Sequence, residues 1–240
     1  MFNKSLQYSV AAQKREWHRV MRVVLTVVML FILYNAIHSF LFSVWVIRGD
    51  SMQPGIRSGD RLLVVSSRLP FLFAGITGGD IPYRHGHLVL VDKSRPVRHN
   101  RLLIVADSVV RFFTAQQVSV IGGGEHLHVK RIAALPGDEI SMANFVMRVR
   151  PAGTPFALTE FELAVRPYYP TIPQMPELWD MTLPFSGYMN GIVLGPGQSF
   201  VVSDDRSDTN DSRTWGPVDT RTIVGRPVFR FWPPSRIGIP

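Results

Sequence analysis

The stretch VWVIRGDSMQPG, Val44–Gly55, closes a long apolar run and opens a turn. Two chemistries overlap in it. Arg48-Gly49-Asp50 spells an adhesion tripeptide. Ser51-Met52-Gln53-Pro54 puts a hydroxyl on a bend, with Gly49 permitting a tight turn before it and Pro54 fixing the chain after it. Taken alone, the second pattern describes a turn-capping serine more readily than a nucleophile. The neighbouring sequence decides between these readings, and with them the architecture.

Immediately upstream, Val23–Ile47 is almost wholly apolar, interrupted only by Asn35 and His38 among its bulky residues. About 25 residues of helix span roughly 37 Å, more than the ~30 Å hydrocarbon core of a bilayer. The run is too long for the apolar core of a removable leader, and no small-x-small cleavage pattern follows it. The expectation is a retained transmembrane anchor over residues 23–47. Lys4, Lys14, Arg15, Arg19 and Arg22 precede it, so residues 1–22 are expected to form a short basic cytoplasmic tail. Residues 48–240 are then expected on the far side. An adhesive loop should stand clear of the membrane on a stalk, whereas here the tripeptide begins one residue after the apolar run. This makes a membrane-anchored adhesin the weaker reading.

The chain of 240 residues is 46% hydrophobic and 18% charged, which is enough for a packed core. It contains no cysteine, excluding disulfides and thiolate chemistry. Its net charge of +8 is spread along the chain without a basic run or interleaved aromatics, which favours lipid proximity over nucleic acid as the partner. Short runs bounded by turn residues predict strands over Arg61–Ser66, His87–Asp92, His126–Ile132, Glu139–Met142, Phe145–Arg150, Ser199–Ser203 and Ile223–Trp232. Arg101–Thr114 has helical spacing. Ser141–Pro196 is Pro-rich and motif-poor, an inserted lobe. Phe71–Phe73, within a second apolar patch, either pack inside or dip into lipid. The expected fold class is mainly β, an antiparallel-sheet domain with one N-terminal transmembrane helix.

Two further stretches carry chemistry. In HVKRIAALPGDEI, His128–Ile140, strand alternation puts Lys130 and Ile132 on one face and Val129 and Arg131 on the other. A lysine on an apolar face loses solvation, so its neutral amine becomes accessible as a base for a serine hydroxyl. The alternative is an ordinary surface Lys-Arg pair. In SDDRSDTNDSRTWGPV, Ser203–Val218, four aspartates sit among hydroxyls and two arginines. A calcium loop fails there, because Arg213 occupies the position that needs glycine and the bidentate glutamate is missing. A network of Asx turns and Arg–carboxylate pairs supporting a site fits better. No cofactor or metal is implied.

In order and spacing these three motifs, with the ending PSRIG at Pro234–Gly238, resemble those of the bacterial type I signal peptidases, membrane-anchored Ser/Lys endopeptidases. The resemblance covers most of the chain from Arg48 to the C-terminus, without a motif in Ser141–Pro196, and implies a signal-peptidase-like catalytic domain. It implies Ser51 as nucleophile, Lys130 as general base, Thr209 as the hydroxyl residue orienting the lysine, and Asp211 and Arg213 as a supporting ion pair with Ser212 between them. Ile47, Met52, Ile56 and Val129 match residues lining shallow pockets that accept small side chains before the cut. Three positions depart from the family pattern. Gly49 stands where some members carry a serine that assists the oxyanion. His87 stands where an acidic residue is usual. Ser203 stands in place of glycine.

The resemblance thus implies cleavage of signal peptides from exported preproteins at Ala-x-Ala type sites. The expected location is the bacterial cytoplasmic membrane, single-pass, near the secretion translocon and lipid; no signal for an oligomeric state is present. A specialised processing peptidase with one dedicated substrate is the near alternative. A self-cleaving repressor-type Ser/Lys protease is disfavoured by the anchor and by Asp211-Ser212-Arg213-x-Trp215-Gly216.

Overall fold

The computed structural model describes residues 4–40, 42–67, 83–93, 106, 110, 127–174 and 187–240. The Arg101–Thr114 helix falls almost entirely outside them, and the Phe71–Phe73 patch falls wholly outside. Contacts divide the chain into two compact units, one containing the N-terminal helix and one containing all the described strands.

Helix α1 runs from Lys4 to Phe40. Between Lys14 and Tyr34 it is long and apolar enough to cross a membrane. Within that span Leu25, Met29 and Ile32 are exposed, an arrangement that suits lipid, where helical backbone satisfies its own polar groups. The boundaries differ from those expected. Residues assigned to a separate tail join the same helix, and the helical part of the 23–47 run ends at Phe40. Phe42–Val46 instead form strand β1, paired antiparallel with β2, Arg61–Ser66. A run of apolar residues gives no internal mark of where a helix gives way to a strand, and here sheet pairing decides.

The described strands of the second unit form two antiparallel sheets. The larger follows the order β1, β2, β11 (Ile223–Trp232), β3 (Leu88–Asp92), β4 (Leu127–Ala134), β9 (Gln198–Val202), β10 (Val218–Asp219). The smaller follows β7 (Leu158–Thr159), β6 (Val146–Arg150), β5 (Glu139–Ala143), β8 (Met189–Val193). The architecture is therefore mainly β, as expected. The seven anticipated strands are present to within two residues at either end. Strands β1, β7, β8 and β10 were not anticipated.

Strands β3 and β4 are buried on both faces, the mark of central strands. Their alternation separates two cores. Leu88, Leu90 and Val129 join Ile47, Met52, Ile56, Leu62 and Val64. Val89 and Val91 join Ile132, Val201 and Ile223. A third core, including Ile140, Met142, Met147, Val149, Phe200 and Val202, joins the small sheet to the end of β4 and to β9. The 141–196 segment thus packs on the main sheet through its own apolar face. It also carries short helix α2, Glu160–Leu163, started by a Thr159/Glu162 capping box.

Candidate active site

Ser51 lies in the turn that follows β1. Gly49 adopts φ +101°, a conformation that disfavours any side chain. Gln53 N–H donates to the Asp50 carbonyl at 3.0 Å and Ile56 N–H to the Met52 carbonyl at 2.9 Å, closing the bend. Two arginines brace its far end. Arg230 and Arg236 donate to the Gly55 carbonyl at 2.7 and 2.9 Å, and both contact the buried Asp60 carboxylate. Arg236 belongs to the C-terminal PSRIG stretch, so that motif acts locally on the serine-bearing loop.

Lys130 sits on β4, opposite Val89 of β3. Only 1% of its surface is exposed, which excludes the surface-pair reading. Its ammonium donates to Ser203 Oγ at 2.7 Å and to Asp208 Oδ2 at 3.2 Å. Ser203 Oγ–H in turn donates to Asp208 Oδ2 at 3.2 Å, closing a triangle. Burial pushes the Lys130 amine below its ordinary range, against the opposing pull of the Asp208 carboxylate. Asp208 is also desolvated, but the Asn210 amide and Lys130 outweigh this and hold its carboxyl below the usual range.

The loop after β9 carries these partners and is itself pinned. Asp211, fully buried, accepts Ser203 N–H at 2.8 Å and caps short helix α3, Ser212–Trp215, through Arg213 N–H at 2.9 Å. Arg213 pairs with Asp211 at 2.7 Å and donates to the Arg206 carbonyl at 2.8 Å and to the Asp208 carbonyl. Ser212 Oγ accepts from Val201 N–H of β9 at 3.0 Å. The ion pair inferred from sequence is thus formed, and it clamps both ends of the segment that reaches Lys130.

One backbone bond brings the two halves together. Asp205 N–H, two residues past Ser203, donates to the Ser51 carbonyl at 3.0 Å. Ser51 and Lys130 therefore meet the same short loop, although no hydrogen bond joins their side chains among the described residues. Ile47, Met52, Ile56 and Val129 converge in a single apolar cluster around the turn. Thr209 is placed differently from its expected contact. Its carbonyl accepts from Asp211 N–H and Thr214 Oγ1, and among the described residues its hydroxyl makes no bond to Lys130.

Several supporting contacts were not foreseen from the sequence. Arg131 makes a two-pronged pair with Asp204 at 2.7 and 2.6 Å and lies over the Tyr168 ring at 3.9 Å. Arg206, buried, donates to Glu160 at 2.5 Å, and Tyr168 donates to the same carboxylate at 2.5 Å. Glu160 and Tyr168 come from the motif-poor segment. Both partners of Lys130 lie in the Ser203–Val218 stretch read as a supporting polar network, but the sequence linked neither of them to Lys130. His87, where an acidic residue was expected, lies near Arg226 at 3.5 Å, and burial together with that charge pushes its ring down to about 4.

Comparison with known proteins follows the same outline. The profile of the family described as signal peptidase, peptidase S26, matches residues 20–232. The chain is 29% identical over 192 residues to a probable signal peptidase I-1 of Synechocystis, covering 80% of this chain and 72% of that protein. It is 27% identical over 196 residues to signal peptidase I of Bacillus caldolyticus, covering 81% of each. A more similar but shorter match, 44% over 54 residues, links it to thylakoidal processing peptidase 1 of Arabidopsis thaliana. That match spans 22% of this chain and 16% of the relative's length.

Proposed function

The chain belongs to the signal peptidase family, peptidase S26, and from that premise we propose that it is a membrane-bound serine endopeptidase that removes N-terminal signal peptides from exported preproteins. Ser51 is the nucleophile and Lys130 the general base. The observation that carries this reading is a lysine 1% exposed whose amine bonds the loop that also holds the Ser51 backbone. Burial favours loss of the Lys130 proton, while among the described residues its amine is held by Ser203 and Asp208.

The neutral Lys130 amine takes the Ser51 Oγ proton as Oγ attacks the scissile carbonyl. The Ser51 backbone N–H stabilises the developing oxyanion, since Gly49 offers no side-chain donor. The protonated amine then delivers that proton to the leaving amine. Water, activated by the same amine, hydrolyses the acyl-enzyme ester and restores Ser51. Asp211, Ser212 and Arg213 support the loop, and Thr209 is retained as a candidate supporting hydroxyl.

The substrate binds as an extended strand along a sheet edge, its alternate side chains entering pockets walled by Ile47, Met52, Ile56 and Val129. Shallow pockets between these apolar walls would admit alanine-sized side chains, in keeping with an Ala-x-Ala type preference. The α1 helix serves as a single-pass anchor in the bacterial cytoplasmic membrane, with its basic N-terminal flank in the cytoplasm and the sheets on the other side. Tethering there raises the effective concentration of substrates emerging near the translocon.

The test is cleavage of a purified Ala-x-Ala preprotein by the full chain. Wild type should release the mature protein with its new N-terminus directly after the second alanine, at a rate that rises from neutral to mildly alkaline pH. Ser51→Ala and Lys130→Ala should each lose about 10³-fold or more. Near-normal cleavage by either variant would overturn the assignment.

A further inference from the structure

The hydrogen bonds around Lys130 leave its lone pair a single direction. A neutral amine carries two hydrogens and one lone pair. Among the described residues Lys130 Nζ has two acceptors, Ser203 Oγ at 2.7 Å and Asp208 Oδ2 at 3.2 Å. Ser203 cannot reverse its role cheaply, because its own hydrogen is directed to Asp208 Oδ2 at 3.2 Å and its backbone N–H is held by Asp211 at 2.8 Å. Asp208 is fixed in turn. Its Oδ1 accepts Asn210 N–H at 3.0 Å, and its carbonyl accepts from Arg213.

Resting on the Ser/Lys reading above, we propose that Ser203 and Asp208 are the positioning residues of Lys130, taking both hydrogens of its neutral amine so that the lone pair is left for the Ser51 hydroxyl. Each contributes something different. The Ser203 hydroxyl supplies an acceptor without charge and sets direction. The Asp208 carboxylate supplies an acceptor with charge, so it also opposes the burial that draws the proton off. The division of labour keeps a buried lysine basic enough to accept the serine proton.

The other charges facing the amine are few. Asp211 acts in the same sense as Asp208, and Arg213 acts against both. The Trp215 ring covers Nζ at 5.9 Å, while Lys93 Nζ lies over the same ring at 3.9 Å and the His128 ring packs beside it at 5.6 Å. Asp208 is the carboxylate in direct contact, so its removal should dominate the response.

The chain has four lysines, Lys4, Lys14, Lys93 and Lys130. Lysine-selective isotope labelling of the full chain in detergent therefore gives few side-chain signals, assignable by Lys130→Arg and Lys93→Arg. The proposal expects Asp208→Asn to lower the apparent pKa of Lys130 by about one unit. In cleavage assays the acid limb of the kcat profile should move down with it, raising the ratio of the neutral to the alkaline rate. Ser203→Ala should lower the alkaline kcat by roughly 10-fold or more with KM nearly unchanged, the signature of a misaligned base. A Lys130 titration unmoved or raised by Asp208→Asn would overturn the proposal. So would an unchanged kcat in Ser203→Ala alongside a large loss in Thr209→Ala. If wild type cleaves no preprotein at any pH, the peptidase reading fails, while the titration still decides whether Asp208 controls the Lys130 proton.

Discussion

As the proposed base, Lys130 carries opposing demands: it must be buried enough to shed a proton and held firmly enough to aim. Gly49 shows a second residue-scale constraint. At φ +101° with open space beside its α-carbon, it accepts a side chain sterically but not conformationally. Gly49→Ser, which would place a hydroxyl two residues before Ser51, should destabilise the fold by about 1 kcal/mol or more. Thermal unfolding checks this, and an unchanged or raised melting temperature would contradict the backbone assignment. His87 gives a pH signature. Its folded-state pKa of about 4 lies below the unfolded value near 6.5, so between those values the unfolded chain binds the extra proton. Its contribution is present above pH 6.5 and is lost as pH falls towards 4. His87→Gln should flatten that part of the stability profile, as measured by denaturant unfolding at stepped pH. An undiminished slope would place the titration elsewhere.

At the scale of elements, the supporting segments depend on a few buried charges. Glu160, on α2, neutralises Arg206 of the loop that contacts Lys130 and takes the Tyr168 hydroxyl. Glu160→Ala would leave a buried guanidinium without its carboxylate, and a loss of about 3–5 kcal/mol is expected in denaturant unfolding. A loss below about 1 kcal/mol would mean the pair is not structural. These contacts also explain what the sequence disclosed. Strands such as Arg61–Ser66 and Ile223–Trp232 were legible because alternation and turn residues are local. Strand β1 was not, because Phe42–Val46 continues an apolar run and only pairing with β2 distinguishes it from helix. Ser51 and Lys130 stood out through short-range motifs. The partners of Lys130 did not, because Ser203 and Asp208 lie 73 and 78 residues away and only the packing of β4 beside β9 brings them close. Glu160 was hidden for the same reason, in a segment without a motif.

For the whole molecule, the apolar surface of α1 calls for lipid, and the antiparallel sheets supply a rigid frame for a serine loop and a lysine strand. The full chain should stay with membranes through alkaline carbonate extraction, and release into the supernatant would contradict the anchor. The proposed nucleophile and base would act together only during turnover, so the most direct measurement is to catch the intermediate. The full chain should be acid-quenched while turning over an activated Ala-x-Ala ester, then digested with trypsin and mapped by mass spectrometry. Cleavage after Arg48 and Arg57 yields Gly49–Arg57, a peptide whose single hydroxyl is Ser51. The acyl mass is expected on that peptide and should be lost in Lys130→Ala. Turnover with the acyl group on another peptide would contradict it.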